Sequence, residues 1–492
     1  MLTLPKVNLQ VTSAAAVPQL AEQKILFVGQ KFQNGTAIDK ALTEDIAQGE
    51  EDALFGAYSI LAKMIRRARS FNQVNRFDAI ALSDNGAGIA ATGSIALSGT
   101  STEAKDFKLQ IGNEGFEYSA TIASGTSATD TAAAIADAIT ASSYPFSATS
   151  EAGTITVTYD HKGTAGNEIL IKIKQGVAGL TSVVTNFSGG AGAVDTAGIF
   201  DNLAERYQAI VYSQDLDLAE LTNLTEGRFN TDNVILDGVG MLTSTGAYET
   251  VKSTIGALNL KTLVNFANVD EMRYFELSTN ISAEFAAKRA LRLTEGSSIV
   301  ELVVDYQEGI GGIQTASLPY FNTPMSLPKP TGRLTQVQID DAVEAGLSLV
   351  LINEAGGIIT GDIPTTYKTN NAGTNDPGFK YLNYVDTISS VREYLFRHIK
   401  NKYGQTRATA GDLIPGRSMS NVASVKAFAV EKYKELANKT LLMAGDEASR
   451  FFEENFNITL DASTGVYTFD CLAPLVVQAR GFNGIIAITF EI

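Results

Sequence analysis

The stretch GLSLVLINEAGGIITGDIPTTY at residues 346–367 is followed, after a polar loop, by YLNYVDTISSVREYLFRHIKNKY at residues 381–403. Residues 347–352 form an apolar run of the length expected for a buried strand. Residues 358–367 are rich in β-prone residues and favour a second strand. The glycine pair Gly356-Gly357 between them predicts a turn. The first half of the stretch therefore predicts a strand, a turn and a strand.

The second half of the stretch predicts a long helix over residues 386–403. Asp386 is a suitable N-cap, and Gly404 follows at the position where a helix commonly ends. Four apolar residues recur at helical spacing and predict one buried face: Ile388, Val391, Leu395 and Ile399.

This succession of elements resembles the C-terminal domain of contractile-tail sheath proteins, and most of all the sheaths of Mu-like bacteriophages. The family pattern is a buried strand, a glycine turn, an Ile-x-Thr-Thr-Tyr strand, a loop and a long helix. Here Pro364 stands directly before Thr365-Thr366-Tyr367, so this part departs from the pattern. A weaker resemblance runs from about residue 21 to residue 492. It implies a structural subunit that forms stacked hexameric rings around a tail tube and contracts to drive the tube through the host envelope during genome injection.

The resemblance also implies partners and a location. The partners are further copies of this chain, the tail tube protein, and the baseplate and tail-terminator proteins. The location is the phage tail of the virion, after synthesis in the host cytoplasm. It implies no enzymatic activity, no cofactor and no metal ion. Two alternatives from other classes stay open: a soluble α/β enzyme with a β accessory domain, and a surface adhesin, which would need an export signal that we do not find.

Composition narrows the possible functions. The chain has 492 residues, of which 45% are hydrophobic, so sizeable cores can form. The net charge of −16 argues against nucleic acid as a partner. Cys471 is the single cysteine, so an intrachain disulfide and a cysteine metal cluster are both excluded. We expect Cys471 to be a small buried hydrophobic residue. No run is long and apolar enough for membrane insertion.

Changes in composition along the chain predict an α/β and α+β multidomain fold. A Gly-, Ser- and Thr-rich segment interrupts an α/β pattern, which predicts a central α/β sheet domain with an inserted β-rich, sandwich-like domain. Because both ends of the insert are glycine-rich, we expect that a short linker could replace it without loss of folding. The predicted boundaries are an N-terminal arm at 1–20, the discontinuous α/β domain at 21–89 and 194–328, the insert at 90–193, a C-terminal α+β domain at 329–483, and a C-terminal strand arm at 484–492.

Hydrophobic periodicity predicts the elements of these domains. In the α/β domain, strands are expected at 24–29, 77–82, 207–212, 234–236 and 262–266, and helices at 51–69, 215–226, 248–258 and 282–294. Alternation at this spacing favours a largely parallel sheet. In the insert, a hairpin is expected over 107–122, with strands around Ile155 and Ile171 and a helix at 129–139. The C-terminal domain should add a helix at 422–443 and a strand at 465–473.

The sequence offers little catalytic chemistry. His161 is expected on an exposed turn and His398 on a basic helix, and neither position suits a Ser-His-Asp triad. Gly238 and Gly240 follow a predicted strand, but the next glycine comes too late for a dinucleotide fingerprint. Asp215 and Asp217 are better explained as negative charge at a helix N-terminus than as calcium ligands.

Two groups of residues remain as candidate interaction sites. The first is a basic group on the predicted long helix, comprising Arg392, Arg397, Lys400 and Lys402. It is either a solvated helix face or a contact with an acidic surface, and the resemblance points to the tail tube. The second is an apolar, β-prone run that would be an aggregation hazard as a free edge: Ile485, Ile486, Ala487, Ile488, Thr489 and Phe490. It could pair within its own domain or, as the resemblance favours, add a strand to a neighbouring subunit.

Overall fold

The structure is a computed structural model that describes residues 23–112, 116–213, 216–229, 236–295, 320, 322–437 and 445–474. The predicted N-terminal arm (1–20) and C-terminal strand (484–492) lie outside the described residues. The same holds for most of the predicted strand 234–236 and for Asp215. Among the described helices, none has the length and apolarity required to cross a membrane.

The elements follow one another in three groups. The first comprises β1 (Lys24–Gln30), β2 (Leu42–Thr43), α1 (Glu51–Phe55), α2 (Ile60–Arg69) and β3 (Arg76–Leu82). The second comprises β4 (Ala90–Gly99), β5 (Lys105–Ile111), β6 (Glu117–Ile122), α3 (Ala128–Thr140), β7 (Phe146–Glu151), β8 (Thr154–Lys162), β9 (Ile171–Gln175) and β10 (Leu180–Ser188). We call this second group the β-module.

The third group returns to alternating strands and helices and then becomes mainly helical. It comprises β11 (Ala209–Tyr212), α4 (Leu218–Phe229), β12 (Val239–Gly246), α5 (Tyr248–Gly256), β13 (Leu263–Val269), α6 (Ser278–Glu295), α7 (Gln336–Glu344), β14 (Leu347–Ser348), β15 (Val350–Ile352), β16 (Ile358–Thr360), α8 (Leu382–Tyr403), β17 (Arg407–Ala408), β18 (Met419–Ser420), α9 (Val422–Ala437), α10 (Asp446–Glu454), β19 (Asn457–Asp461) and β20 (Val466–Asp470).

A seven-stranded sheet forms the centre, in the order β14-β13-β12-β11-β1-β3-β2. All its pairs are parallel except the short β2–β3 pair. Apolar side chains fill both of its faces, with Phe27 and Phe266 in the core on one side and Leu26 and Ile210 in the core on the other. This burial on both faces explains why its strands are continuous apolar runs. The predicted largely parallel sheet is confirmed.

The β-module has two sheets and a core of its own. A four-stranded sheet has the order β10-β4-β8-β7, and a three-stranded sheet has the order β6-β5-β9. The inward residues of β8, Ile155, Val157 and Tyr159, alternate with exposed or half-exposed ones, as the sequence predicted. Helix α3 is capped by Ser127 and packs its buried face, including Ile135 and Ile139, into the same core.

The C-terminal region is joined to the central sheet at one edge. Strand β14 pairs with β13, whereas β15 turns away and pairs with β16. The predicted single strand over 347–352 is therefore divided between two sheets. A further cluster of α8, α9 and α10 packs Leu395, Tyr433 and Phe452 together, and Cys471 packs at its margin. Burial raises the pKa of the half-buried Cys471 thiol to about 11.

One predicted helix differs from the observed structure in this region. The helix predicted over 51–69 is broken between α1 and α2, because Gly56 has a φ of +85° and ends α1. The strand predicted at 234–236 lies mostly outside the described residues, and the described strand β12 begins at Val239. Position 240, inside this strand, is a glycine that packs closely against α4, since a Cβ there would collide with the Leu221 side chain.

The prediction for His161 is wrong. Its side chain is completely buried at the end of β8 and stacks on the Phe32 ring with centroids 4.0 Å apart. The neighbouring residues Asp160 and Lys162 suggested a turn, but β8 continues through Lys162. The strand thus carries the imidazole into the junction with the central sheet.

Candidate interaction site on the long C-terminal helix

The first half of α8 is anchored in the interior by Asp386. This carboxylate forms a buried ion pair with Arg289 of α6, whose Nε donates to it at 3.0 Å, and accepts a hydrogen bond from the Tyr320 hydroxyl. Burial acts to lower the pKa of Arg289, but Asp386 and Tyr320 raise it overall. Burial and Asp386 raise the pKa of Tyr320 well above its ordinary value, so its hydroxyl remains a donor.

Asp386 is therefore not the N-cap that the sequence predicted. The helix begins one turn earlier, at Leu382, and Tyr381 occupies the cap position without a side-chain hydrogen bond. A short polar side chain before a helical pattern is a usual cap signal. Here the carboxylate is instead needed inside the helix to neutralise Arg289, which lies 97 positions earlier in the sequence.

A second ionic network holds the next turn of α8. Arg392 Nη2 lies 3.0 Å from the buried Asp237 carboxylate, and its Nη1 donates to the Phe229 carbonyl. Arg206 links the same carboxylate to α8, with Nη1 2.6 Å from Glu393 and Nη2 3.4 Å from Asp237. These contacts join α8 to the loops that border α4 and β12. No local sequence signal indicates Arg206 or Asp237, because their partners are distant in the chain.

The four predicted basic residues fall into two pairs. Arg392 and Arg397 are engaged within the chain, since Arg397 pairs with Glu393 one turn earlier. Lys400 and Lys402 are exposed at the end of α8 and, within the described residues, have no carboxylate in salt-bridge range. The Lys402 ammonium lies 3.8 Å from the centre of the Phe428 ring of α9. Of the four predicted basic residues, only the two at the last turn of α8 are therefore available to a partner. The residues of the predicted inter-subunit strand, 485–490, lie outside the described part of the chain.

One acidic cluster has the composition of a metal site but is already paired with an arginine. Carboxylate oxygens of Glu44, Asp78 and Glu205 lie within 4.8 Å of one another. The Arg76 guanidinium lies 3.0 Å from Glu44, 2.8 Å from Asp78 and 3.7 Å from Glu205. The arginine thus supplies the positive charge that a metal ion would otherwise bring to this cluster.

Both ring nitrogens of the buried His161 are engaged in hydrogen bonds, so neither is available as a general base. Its Nε2 accepts a hydrogen bond from the Ile60 backbone amide at 3.2 Å, and its Nδ1 lies 2.9 Å from Asp84. A histidine that activates a nucleophile needs Nε2 directed at a hydroxyl or thiol. A cleft of about 490 Å³ opens nearby, between the β-module and the ends of β1 and β3, and it is bordered by Asp84 and Asp160. Partial desolvation in this cleft raises the pKa of Asp160, although the residue is exposed on its other side.

Sequence comparison identifies a curated relative. The Mu-like prophage FluMu tail sheath protein of Haemophilus influenzae is 24% identical to this chain over 403 residues, which are 80% of this chain and 78% of that protein. The resemblance predicted from residues 346–403 is thereby confirmed. No protein-family profile matches the chain.

Comparison with solved structures gives matches at low identity. They include the sheath tail protein of Desulfitobacterium hafniense, at 12% identity and a TM-score of 0.46 over 96% of this chain and 100% of that one. The sheath tail protein of Listeria innocua matches at 9% identity and a TM-score of 0.47 over 93% of each chain. The PVC sheath complex of an extracellular contractile injection system, in the contracted state, matches at 10% identity and a TM-score of 0.48, over 100% of this chain and 98% of that one. Because these TM-scores are below 0.5 and the identities are 9–12%, the functional assignment rests on the similarity to the Haemophilus influenzae protein alone.

Proposed function

We propose that this chain, a relative of the Mu-like tail sheath proteins, is the structural subunit of a contractile phage tail sheath. The observation that carries the proposal is the identity to the Haemophilus influenzae sheath protein across four fifths of the chain. In the proposed assembly, six copies form a ring and the rings stack helically around a tail tube. The sheath meets a baseplate at one end and a tail-terminator protein at the other, and it contracts to drive the tube through the host envelope during injection.

General physical rules fit such an assembly. A head-to-tail contact that does not close on itself produces a helical polymer. Contraction requires two packings of the same subunit, with the extended packing kinetically trapped. A strand donated by one subunit to the sheet of the next would keep the subunits linked while they rotate, because the connecting backbone can flex while the hydrogen-bond ladder persists.

The exposed end of α8 is the proposed contact with the tube. Lys400 and Lys402 are exposed cations in a chain whose net charge is −16. The Asp386 and Asp237 networks hold the helix firmly, so these lysines project from a fixed support. An acidic tube surface would complement them.

Negative-stain electron microscopy of the purified full-length chain tests the proposed function. We expect rings, tubes or contracted sheaths, whose abundance increases with protein concentration. Uniform monomeric particles at every concentration, together with turnover of a substrate, would instead support an α/β enzyme.

Removal of residues 485–492 tests the proposed strand donation. We expect a soluble, folded monomer that no longer assembles, because the partners of this strand would lie on another subunit. The melting transition and the oligomeric state are measured together. Loss of the melting transition in the monomer would place the strand in its own domain and refute donation.

A further inference from the structure

The β-module contacts the central domain through a buried histidine. His161 Nε2 accepts the amide proton of Ile60, the first residue of α2, so Nε2 carries no proton and Nδ1–H donates to Asp84. The first amides of a helix have no partner within the helix and need an external acceptor. Ser59 caps α2 by accepting from Ala62, and the β-module supplies the acceptor for Ile60.

A second helix of the central domain is capped in the same way. The carboxylate of Glu168, which lies between β8 and β9 and is 7% exposed, accepts the amide proton of Ser278 at 3.0 Å and also its hydroxyl proton. Ser278 is the first residue of α6. A carboxylate at this position also interacts favourably with the helix dipole.

Aromatic packing closes the same junction. Tyr58 precedes α2 and has a φ of +64°, a conformation that is uncommon for a bulky residue. Its ring lies edge-on to Phe116 and Tyr144 of the β-module, with centroids 5.3 and 5.5 Å apart. The Lys63 ammonium of α2 lies 4.8 Å from the centre of the Phe116 ring. The strained backbone at Tyr58 is thus held where both domains pack against it.

The β-module also contacts the carboxyl end of the central sheet. Gln30, the last residue of β1, donates to the Lys162 carbonyl at 2.9 Å and to Asp84 at 2.7 Å. The strand order reverses between β11 and β1, and ligands of open α/β sheets bind at such a switch point, beyond the carboxyl ends of the strands. Here the chain's own β-module takes up part of that position.

We propose that the β-module and the central sheet form one mechanical body, in which His161 and Glu168 act as N-terminal caps of α2 and α6 across the domain boundary. The glycine-rich segments at the two ends of the β-module then only connect it to the central domain and do not act as a hinge. A neighbouring subunit that binds the outer face of the β-module would act directly on α2 and α6. This proposal runs against the expectation that a short linker could replace residues 90–193, and it is independent of the proposed sheath function.

Hydrogen exchange of the full-length chain tests the proposal. His161→Ala should accelerate exchange of peptides that cover the start of α2, and Glu168→Ala should do so at the start of α6, each by about fivefold or more. His161→Gln and Glu168→Gln keep an acceptor and should lie between the wild type and the alanine variants. His398→Ala, on α8, and Glu117→Ala, on the exposed face of β6, are the matched controls and should leave both helix starts unchanged.

Wild-type exchange at both helix starts in the two alanine variants would overturn the proposal. If the alanine variants do not fold, the wild-type protein decides the question through native-state exchange in increasing denaturant. One mechanical body predicts that amides of β8 and of β1 lose protection at the same denaturant concentration. A β-module that loses protection first would be an independently opening domain, which also overturns the proposal.

Discussion

At the scale of single residues, buried charge attaches the C-terminal region to the central sheet. The side chains of Arg289 and Asp386 are only 4% and 6% exposed, and each has the other as its main countercharge. Removing one partner of a buried pair leaves the other as an uncompensated charge, which costs far more than loss of a surface pair. The attachment of α8 to α6 therefore depends strongly on this one contact.

Asp386→Ala should destabilise the protein severely. We expect a loss of about 3–5 kcal/mol in the free energy of unfolding, because Arg289 would stay buried without a countercharge. Chemical denaturation of both proteins measures the difference. Asp340→Ala, at an exposed position on α7, is the control and should change stability by less than about 0.5 kcal/mol. Equal effects of the two substitutions would refute the anchoring role of Asp386.

His161 should make stability depend on pH. Burial, opposed by Asp84 and assisted by Lys63, lowers the pKa of folded His161 below the ordinary value of 6.5. The unfolded chain therefore binds a proton more readily than the folded one, and stability is lost as pH falls below that value. Asp84 does not titrate in this range: burial acts to raise its pKa, but hydrogen bonds from His161, Lys162 and Gln30 lower it below 3.8.

Denaturation midpoints at about pH 7.5 and about pH 5.5 measure this dependence. The wild type should lose up to about 1.4 kcal/mol of stability per pH unit below the ordinary pKa of histidine. In His161→Gln this contribution is absent, so the loss between the two pH values should be smaller. An unchanged loss in the variant would assign the pH dependence to other groups.

At the scale of elements, hydrophobic periodicity predicts the strands and helices whose formation depends on their own local sequence. Strands β1, β3, β11 and β13 and helix α3 follow from their own residues, and each was predicted close to its observed bounds. The misplaced features depend on distant partners. The run 347–352 divides because β14 meets β13 while β15 meets β16, and Asp386 lies inside α8 because Arg289 is buried beside it. Helix α7 has a local signal of a different kind, a capping box formed by Thr335 and Gln338, which hydrophobic periodicity does not reveal.

The sequence predicts where the candidate site lies on the long helix but not which of its basic residues are free to contact a partner. Sequence alone marked the basic group on the long helix, yet Arg392 and Arg397 are bound to carboxylates of their own chain. The charge pattern along a helix cannot reveal the Arg392 contact, because Asp237 lies far away in the sequence. The i,i+4 spacing of Glu393 and Arg397, by contrast, does indicate their pair. Burial of His161 was equally hidden, since its polar neighbours suggested a turn.

Reversing the charge of Lys400 and Lys402 should weaken binding to the tube without unfolding the subunit. Both lysines are exposed, so Lys400→Glu with Lys402→Glu places like charge against the proposed acidic surface. Co-sedimentation with tubes should fall most at low salt, because exposed pairs are screened over about 8–10 Å at ordinary ionic strength.

Two controls separate binding from folding in this experiment. Lys434→Glu, at an exposed position on α9, changes charge away from the end of α8 and should bind as the wild type does. Arg392→Glu should lower the melting temperature, because it opposes the buried Asp237. Unchanged co-sedimentation of the double variant at low salt would refute the tube contact and indicate that the lysines belong to a solvated helix face.

At the scale of the whole molecule, the three regions are joined by buried contacts and not only by their connecting segments. The β-module caps two helices of the central domain, and α8 is fixed to that domain by two ionic networks. Such a subunit is suited to transmit force between neighbours, as the proposed contraction requires.

An electron cryo-microscopy map of intact tails that contain this protein would test directly whether the chain is a sheath subunit. We expect a tube wall built from sixfold rings into which the described chain fits, with Lys400 and Lys402 directed towards the inner tube. A map in which this chain has no place in the wall, or occurs as isolated copies, would contradict it.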